Sequence, residues 1–117
     1  MQVMITGKGM ELTEAIKAYV EEKISGLDKF YDKILSAKVV VGLENHHHQK
    51  GDVYVAECKL DVPGRDLFAE KKEDTLYKAV DKVRDYLESE LKKYKVLRRE
   101  KTKTARRDVR ENKSYDV

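Results

Sequence analysis

Residues 37–44, AKVVVGLE, and 52–62, DVYVAECKLDV, set the architecture of this chain. In the first, Ala37, Val39, Val41 and Leu43 share one side of an extended chain. In the second, Tyr54, Ala56, Cys58, Leu60 and Val62 do so, with Glu57, Lys59 and Asp61 opposite. A period of two marks half-buried strands. Two such runs around the polar stretch 45–51 predict an antiparallel hairpin with one apolar face and one wet face. Outward from it, Pro63 and Gly64 form a turn into a fourth strand over 66–71, with Leu67 and Ala69 inward. Upstream, Val3 and Ile5 alternate with Gln2, Met4 and Thr6 in a short first strand, and Gly7 to Gly9 allow a turn.

The remaining segments have helical spacing. Thr13 is a candidate N-cap, followed by Ala15, Ile16, Tyr19, Val20, Ile24 and Leu27 at intervals of three and four. Gly26 weakens or ends this helix, and 28–34, with Phe30 and Tyr31, reads as a packed connector. From Asp74 or Thr75 as N-cap, the residues Leu76, Tyr77, Val80, Val83, Leu87, Leu91 and Tyr94 trace a stripe. It predicts a second helix of about six turns, roughly 30 Å long. The order β-α-β-β-β-α predicts an α+β fold, a two-layer sandwich with both helices on one face of a four-stranded sheet. The first crossover should be right-handed if its strands are parallel neighbours.

A chain of 117 residues, 40% of them charged, supports one domain and no second core. We place that domain at residues 1–97 and a basic, flexible tail at 98–117. No apolar run approaches a membrane span and no cationic leader is present, so the sequence reads as cytoplasmic, without a membrane partner. The single cysteine, Cys58, cannot form an internal disulfide.

Charge is concentrated. Residues 92–110 hold ten Lys or Arg against Glu100 and Asp108, a net +8, whereas the whole chain is +3 and residues 1–91 carry 14 basic against 18 acidic side chains. Polyanions reward such asymmetry, because each neutralised phosphate releases condensed counterions. The end of the chain is therefore expected to touch RNA, DNA or another acidic surface.

Catalytic signatures are missing. Gly7-Lys8-Gly9 lacks the second half of a phosphate-loop fingerprint, and Cys58 lies on an inward face, where a thiol behaves as a small hydrophobe. We expect no enzyme, no cofactor and no small-molecule substrate. His46, His47 and His48 are adjacent in the hairpin loop and cannot all converge on one tetrahedral ion, so no metal site is assigned. Candidate RNA-binding residues are placed on the last helix and just before it. Lys78 and Lys82 lie one turn apart on a polar face that continues through Ser89 to Lys93, and Lys71 and Lys72 precede the helix N-terminus. Asp81, Asp85, Glu88 and Glu90 offer i,i+4 partners to these cations; Lys92, Lys93 and Lys95 lead into the basic tail.

Several fragments occur together in order: Val3-x-Ile5-Thr6-Gly7, Glu11-Leu12-Thr13-x-Ala15-Ile16, Tyr19-Val20-x-x-Lys23-Ile24-x-x-Leu27, Leu67-x-Ala69, Leu76-Tyr77-x-Ala79-Val80-Asp81, and Leu87-x-x-x-Leu91-x-Lys93-x-Lys95. Over residues 1 to about 97 this set resembles the ribosome hibernation-promoting factor and ribosome-associated inhibitor family, also called sigma-54 modulation proteins. The resemblance implies a fold similar to a double-stranded-RNA-binding domain with an added first strand. It also implies a non-enzymatic role: occupying the mRNA and tRNA channel of the small ribosomal subunit near the decoding centre, against rRNA, and blocking translation sterically during stress or stationary phase. Lys23, Lys93 and Lys95 match basic positions of the family. Ser89 and Glu90 stand where relatives often carry Arg, which takes away one site of phosphate binding; Lys92, Arg98 and Arg99 are candidates to compensate. The chain resembles a short form, and its extension over 96–117 leans toward locking single ribosomes. The alternative is a general RNA-binding module or a protein-interaction adaptor in transcription.

Overall fold

The computed structural model describes residues 1–44 and 51–111, with side chains through Arg98. Strands β1 (Gln2–Lys8), β2 (Ser36–Leu43), β3 (Tyr54–Val62) and β4 (Arg65–Glu73) form one sheet in the order β1-β2-β3-β4. β1 pairs in parallel with β2, and the other two pairings are antiparallel. Helix α1 (Glu14–Ser25) crosses over between β1 and β2, and α2 (Leu76–Glu111) follows β4.

Local chemistry starts each helix. The Thr13 hydroxyl accepts from the Ile16 amide at 3.2 Å, and the Thr75 hydroxyl accepts from the Lys78 amide at 3.2 Å, each satisfying an orphan donor of a helix start. α1 gives way at Gly26 to a 3-10 turn over Gly26–Lys29, in which Leu27 is buried in the core. Gly64, at φ 87°, supplies the left-handed residue of the β3–β4 turn. Gly42 is required for another reason: a Cβ there would stand 2.4 Å from the Lys8 carbonyl oxygen, so only glycine lets β1 lie this close.

One face of the sheet is core. Ala37, Val39, Val41, Ala56, Cys58, Leu60, Val62, Leu67 and Ala69 are buried against Val20, Ile24 and Leu27 of the first helical segment and against Val80, Val83, Leu87 and Leu91 of α2. The packed connector contributes Tyr31 and Ile34. Tyr31 meets Tyr94 edge-on, with ring centroids 5.3 Å apart. Full burial of each large aliphatic side chain contributes about 1.5–3 kcal/mol, which is why the period-two and period-3.6 patterns prevail over local propensity.

Three details differ from the sequence expectation. Ala15 is exposed, because α1 docks through Ile16, Val20 and Ile24 and a methyl group gains little by rotating inward. Tyr77 is 45% exposed; the core position beside it is filled by Leu76. The second helix is also much longer than six turns. No Gly or Pro follows Gly64, and the Lys- and Arg-rich sequence after Tyr94 favours helix without needing a core. The expected domain boundary at 97/98 falls inside this helix, and residues 112–117 lie outside the described residues, as does the loop holding His46, His47 and His48. Cys58 is fully buried, and burial pushes its thiol up to about 12.

Candidate nucleic-acid interface

Two surfaces could face a partner: the open side of the sheet and the helical side. On the open side the strand register sets Lys38 opposite Lys59 and Glu57 opposite Glu70. An open trough there is lined by Lys8 and Lys72 but also by Glu44, Glu57 and Glu70. Lys72 is neutralised by Glu44 at 3.1 Å. Three carboxylates against two ammonium groups do not favour phosphate.

The helical side is organised differently. Residues 77, 81, 84, 88, 92 and 95 recur at intervals of four and three, which sets Tyr77, Asp81, Arg84, Glu88, Lys92 and Lys95 on one flank of α2. This flank faces α1 and the 3-10 turn. Near its start the Tyr19 hydroxyl donates to Asp81 at 2.5 Å, and the Lys23 ammonium lies 3.6 Å from the same carboxylate and 5.5 Å from the Tyr19 ring centroid. The Asp81 hydrogen bond, followed by burial, raises the Tyr19 hydroxyl to about 12. Farther along, Glu88 accepts from Arg84 at 2.6 Å and from Lys92 at 2.9 Å. The Lys92 bond is the main reason the Glu88 carboxyl sits below its ordinary range. Both cations also lean on the Phe30 ring, at 5.6 and 5.1 Å. One carboxylate and one aromatic thus hold two cations at a fixed separation on the surface.

The remaining candidates occupy other places. Lys78 pairs with Asp74 at 3.2 Å, Lys82 with Glu73 at 3.1 Å, and Lys93 with Glu90 at 3.4 Å, on the far side of α2. Lys71 and Lys72 do not converge on the α2 N-terminus. Alternation along β4 sends them to opposite sides of the sheet, Lys71 to within 4.9 Å of the Tyr86 ring centroid and Lys72 to Glu44. Lys95 is exposed and has no ion pair among the described residues. Arg98 donates to the Pro63 carbonyl at 3.4 Å, alongside the Tyr94 hydroxyl, which donates to the same oxygen and fixes the helix against the β3–β4 turn. Burial raises the Tyr94 hydroxyl. The side chain of Arg99 lies outside the described residues.

Thus the structure brings Lys23, Lys92 and Lys95 to one flank, groups Lys78, Lys82 and Lys93 on another, and separates Lys71 from Lys72. Arg84 is a further cation of this flank that the sequence analysis did not single out. Its 3-4 spacing from Asp81 and Glu88 was the available signal.

Comparison with known proteins agrees with this architecture. The family profile of the Sigma 54 modulation protein / S30EA ribosomal protein matches residues 3–103. The chain is 38% identical over 96 residues to the ribosome hibernation promotion factor of Deinococcus radiodurans, covering 81% of this chain but only 50% of that relative. It is 35% identical over 95 residues to the ribosome hibernation promoting factor of Azotobacter vinelandii, covering 81% of this chain and 83% of the relative. Its fold matches the crystal structure of the Thermus thermophilus Protein Y N-terminal domain with a TM-score of 0.71 at 35% identity, over 80% of this chain and 99% of that one. A ribosomal subunit interface protein from Coxiella burnetii has the same fold, with a TM-score of 0.72 at 24% identity, over 82% of this chain and 99% of that one. With a profile match across most of its length and relatives this similar, the chain belongs to the Sigma 54 modulation protein / S30EA ribosomal protein family.

Proposed function

We propose that this chain is a ribosome hibernation factor. It binds the small ribosomal subunit in the channel that mRNA and tRNA would otherwise occupy near the decoding centre, and it inhibits translation by steric block during stress or stationary phase. It works in the cytoplasm and without catalysis. Relatives named as ribosome hibernation factors support the role. The observation that carries the binding surface is the α2 flank with Arg84, Lys92 and Lys95, joined by Lys23 from α1. The rigid helix presents these cations as a pre-ordered row, which suits a phosphate backbone recognised by shape more than by base sequence. Most cations on this side already have carboxylate partners, so phosphate binding proceeds by exchange of partners. The net gain per phosphate is then smaller than for a bare lysine, and strength comes from their number.

Sedimentation of the protein with ribosomes through a sucrose gradient tests this reading. The expected result is co-migration with small subunits and whole ribosomes, together with inhibition of translation by the same preparation. Protein left at the top of the gradient at low salt would overturn it and favour the adaptor alternative.

A further inference from the structure

Three aromatic rings stand out of the described surface: Phe68, Tyr77 and Tyr86, at 54%, 45% and 41% exposure. Phe68 lies on the sheet side, whose acidic trough does not favour RNA, and the Lys71 ammonium covers Tyr86. Tyr77 is placed differently. It begins the α2 flank that carries Arg84, Lys92 and Lys95, and it stands edge-on to Tyr19, with ring centroids 4.6 Å apart and planes at 88°. Tyr19 is itself held by the Asp81 carboxylate at its hydroxyl and by Lys23 over its ring. The exposed ring therefore rests on an immobilised neighbour and has little freedom left to lose on binding.

We propose that Tyr77 is a stacking platform for one unpaired RNA base, with Lys23 beside it for the adjoining phosphate. The proposal rests on the rRNA-binding reading above and names what that flank recognises besides phosphate. An exposed aromatic face beside cations is the surface on which unpaired bases stack, whereas a base inside a duplex has no free face to offer. The ligand is thus a bulged, looped or single-stranded nucleotide. Stacking of one base contributes roughly 5- to 150-fold in affinity.

The test is equilibrium binding of purified small subunits by the wild-type chain and by Tyr77→Phe, Tyr77→Leu and Tyr77→Trp variants, each first checked for an unchanged melting temperature. Tyr77→Phe should bind within about twofold of wild type. Tyr77→Leu should weaken binding by at least about fivefold with an unchanged salt slope, because a π face is removed while every phosphate-binding cation stays in place. The chain has no tryptophan, so Tyr77→Trp introduces a single indole, whose fluorescence should be quenched on binding. This variant also decides the matter if Tyr77→Leu does not fold. A wild-type chain that binds while Tyr77→Leu binds equally well, or while the indole stays unquenched in the complex, overturns the stacking site alone. A wild-type chain that does not bind the subunit overturns the ribosomal reading and the stacking site with it.

Discussion

Replacing Asp81 by Asn removes one charge at the point where α1 and α2 are joined. The carboxylate accepts from Tyr19 at 2.5 Å and pairs with Lys23 at 3.6 Å, and its side chain is 44% exposed. A hydrogen bond to a charged group is worth about 1.5–3 kcal/mol when shielded; at this exposure, and with an amide oxygen still able to accept, about 1 kcal/mol is expected. For a domain of this size class that lowers Tm by about 4–8 °C. The sign with pH follows from Tyr19. Its folded pKa, about 12, exceeds the unfolded value near 10, so the stabilisation is fully present below about pH 10 and is lost as pH rises through 12. The assay is thermal unfolding of both proteins across pH, with tyrosinate absorbance recorded in parallel. The gap in Tm should be constant through neutral pH and close in the alkaline range, and the last tyrosine to ionise in the wild type should ionise earlier in the variant. Identical tyrosinate titrations would show that Asp81 does not hold the Tyr19 proton, and the expected pH dependence would fall with it.

Glu88→Gln should free Arg84 and Lys92 and tighten binding to small subunits, steepening the salt slope by roughly 0.7 to 0.9 for one additional phosphate bound. Glu21→Gln is the control: Glu21 is exposed on α1 with no ion pair among the described residues, and an equal gain there would reduce the effect to net charge. Cys58 should resist thiol reagents in the native protein at neutral pH and react only on unfolding; stoichiometric native labelling would contradict its burial. Joint replacement of His46, His47 and His48 by Ser should leave folding and translation inhibition intact, and loss of either on chelation would reinstate a metal site.

The fold was legible because half-burial imposes a period on each element. Val39 and Val41 on β2, Cys58 and Leu60 on β3, and Leu87 and Leu91 on α2 are inward, as their spacing requires. The pattern fails where burial is not at stake. Tyr77 fits the apolar stripe by residue type yet stands half out, and α2 runs on past Tyr94 on helix-favouring Lys and Arg, with Arg98 donating to the Pro63 carbonyl, and without an apolar stripe. The candidate site was legible as charge but not as geometry. Partners one turn apart, such as Asp74 for Lys78 and Glu88 for Lys92, can be read from spacing. Partners brought by tertiary packing cannot: Asp81 reaches Lys23 across two helices, and Phe30 supports Arg84 and Lys92 from the connector. Lys71 and Lys72 are neighbours in sequence and opposites in space, a consequence of strand alternation that a count of positive charges does not register.

If the α2 cations meet rRNA phosphates, affinity for purified small subunits must depend on them through salt. The decisive experiment measures that affinity against salt concentration for the wild-type chain and for a variant with Lys92, Lys93, Lys95, Arg98 and Arg99 replaced by Gln. The variant should bind more weakly by several kcal/mol, and its salt dependence should be shallower by roughly 0.7 to 0.9 for each phosphate no longer neutralised. An unchanged slope would mean that these cations do not touch the rRNA backbone.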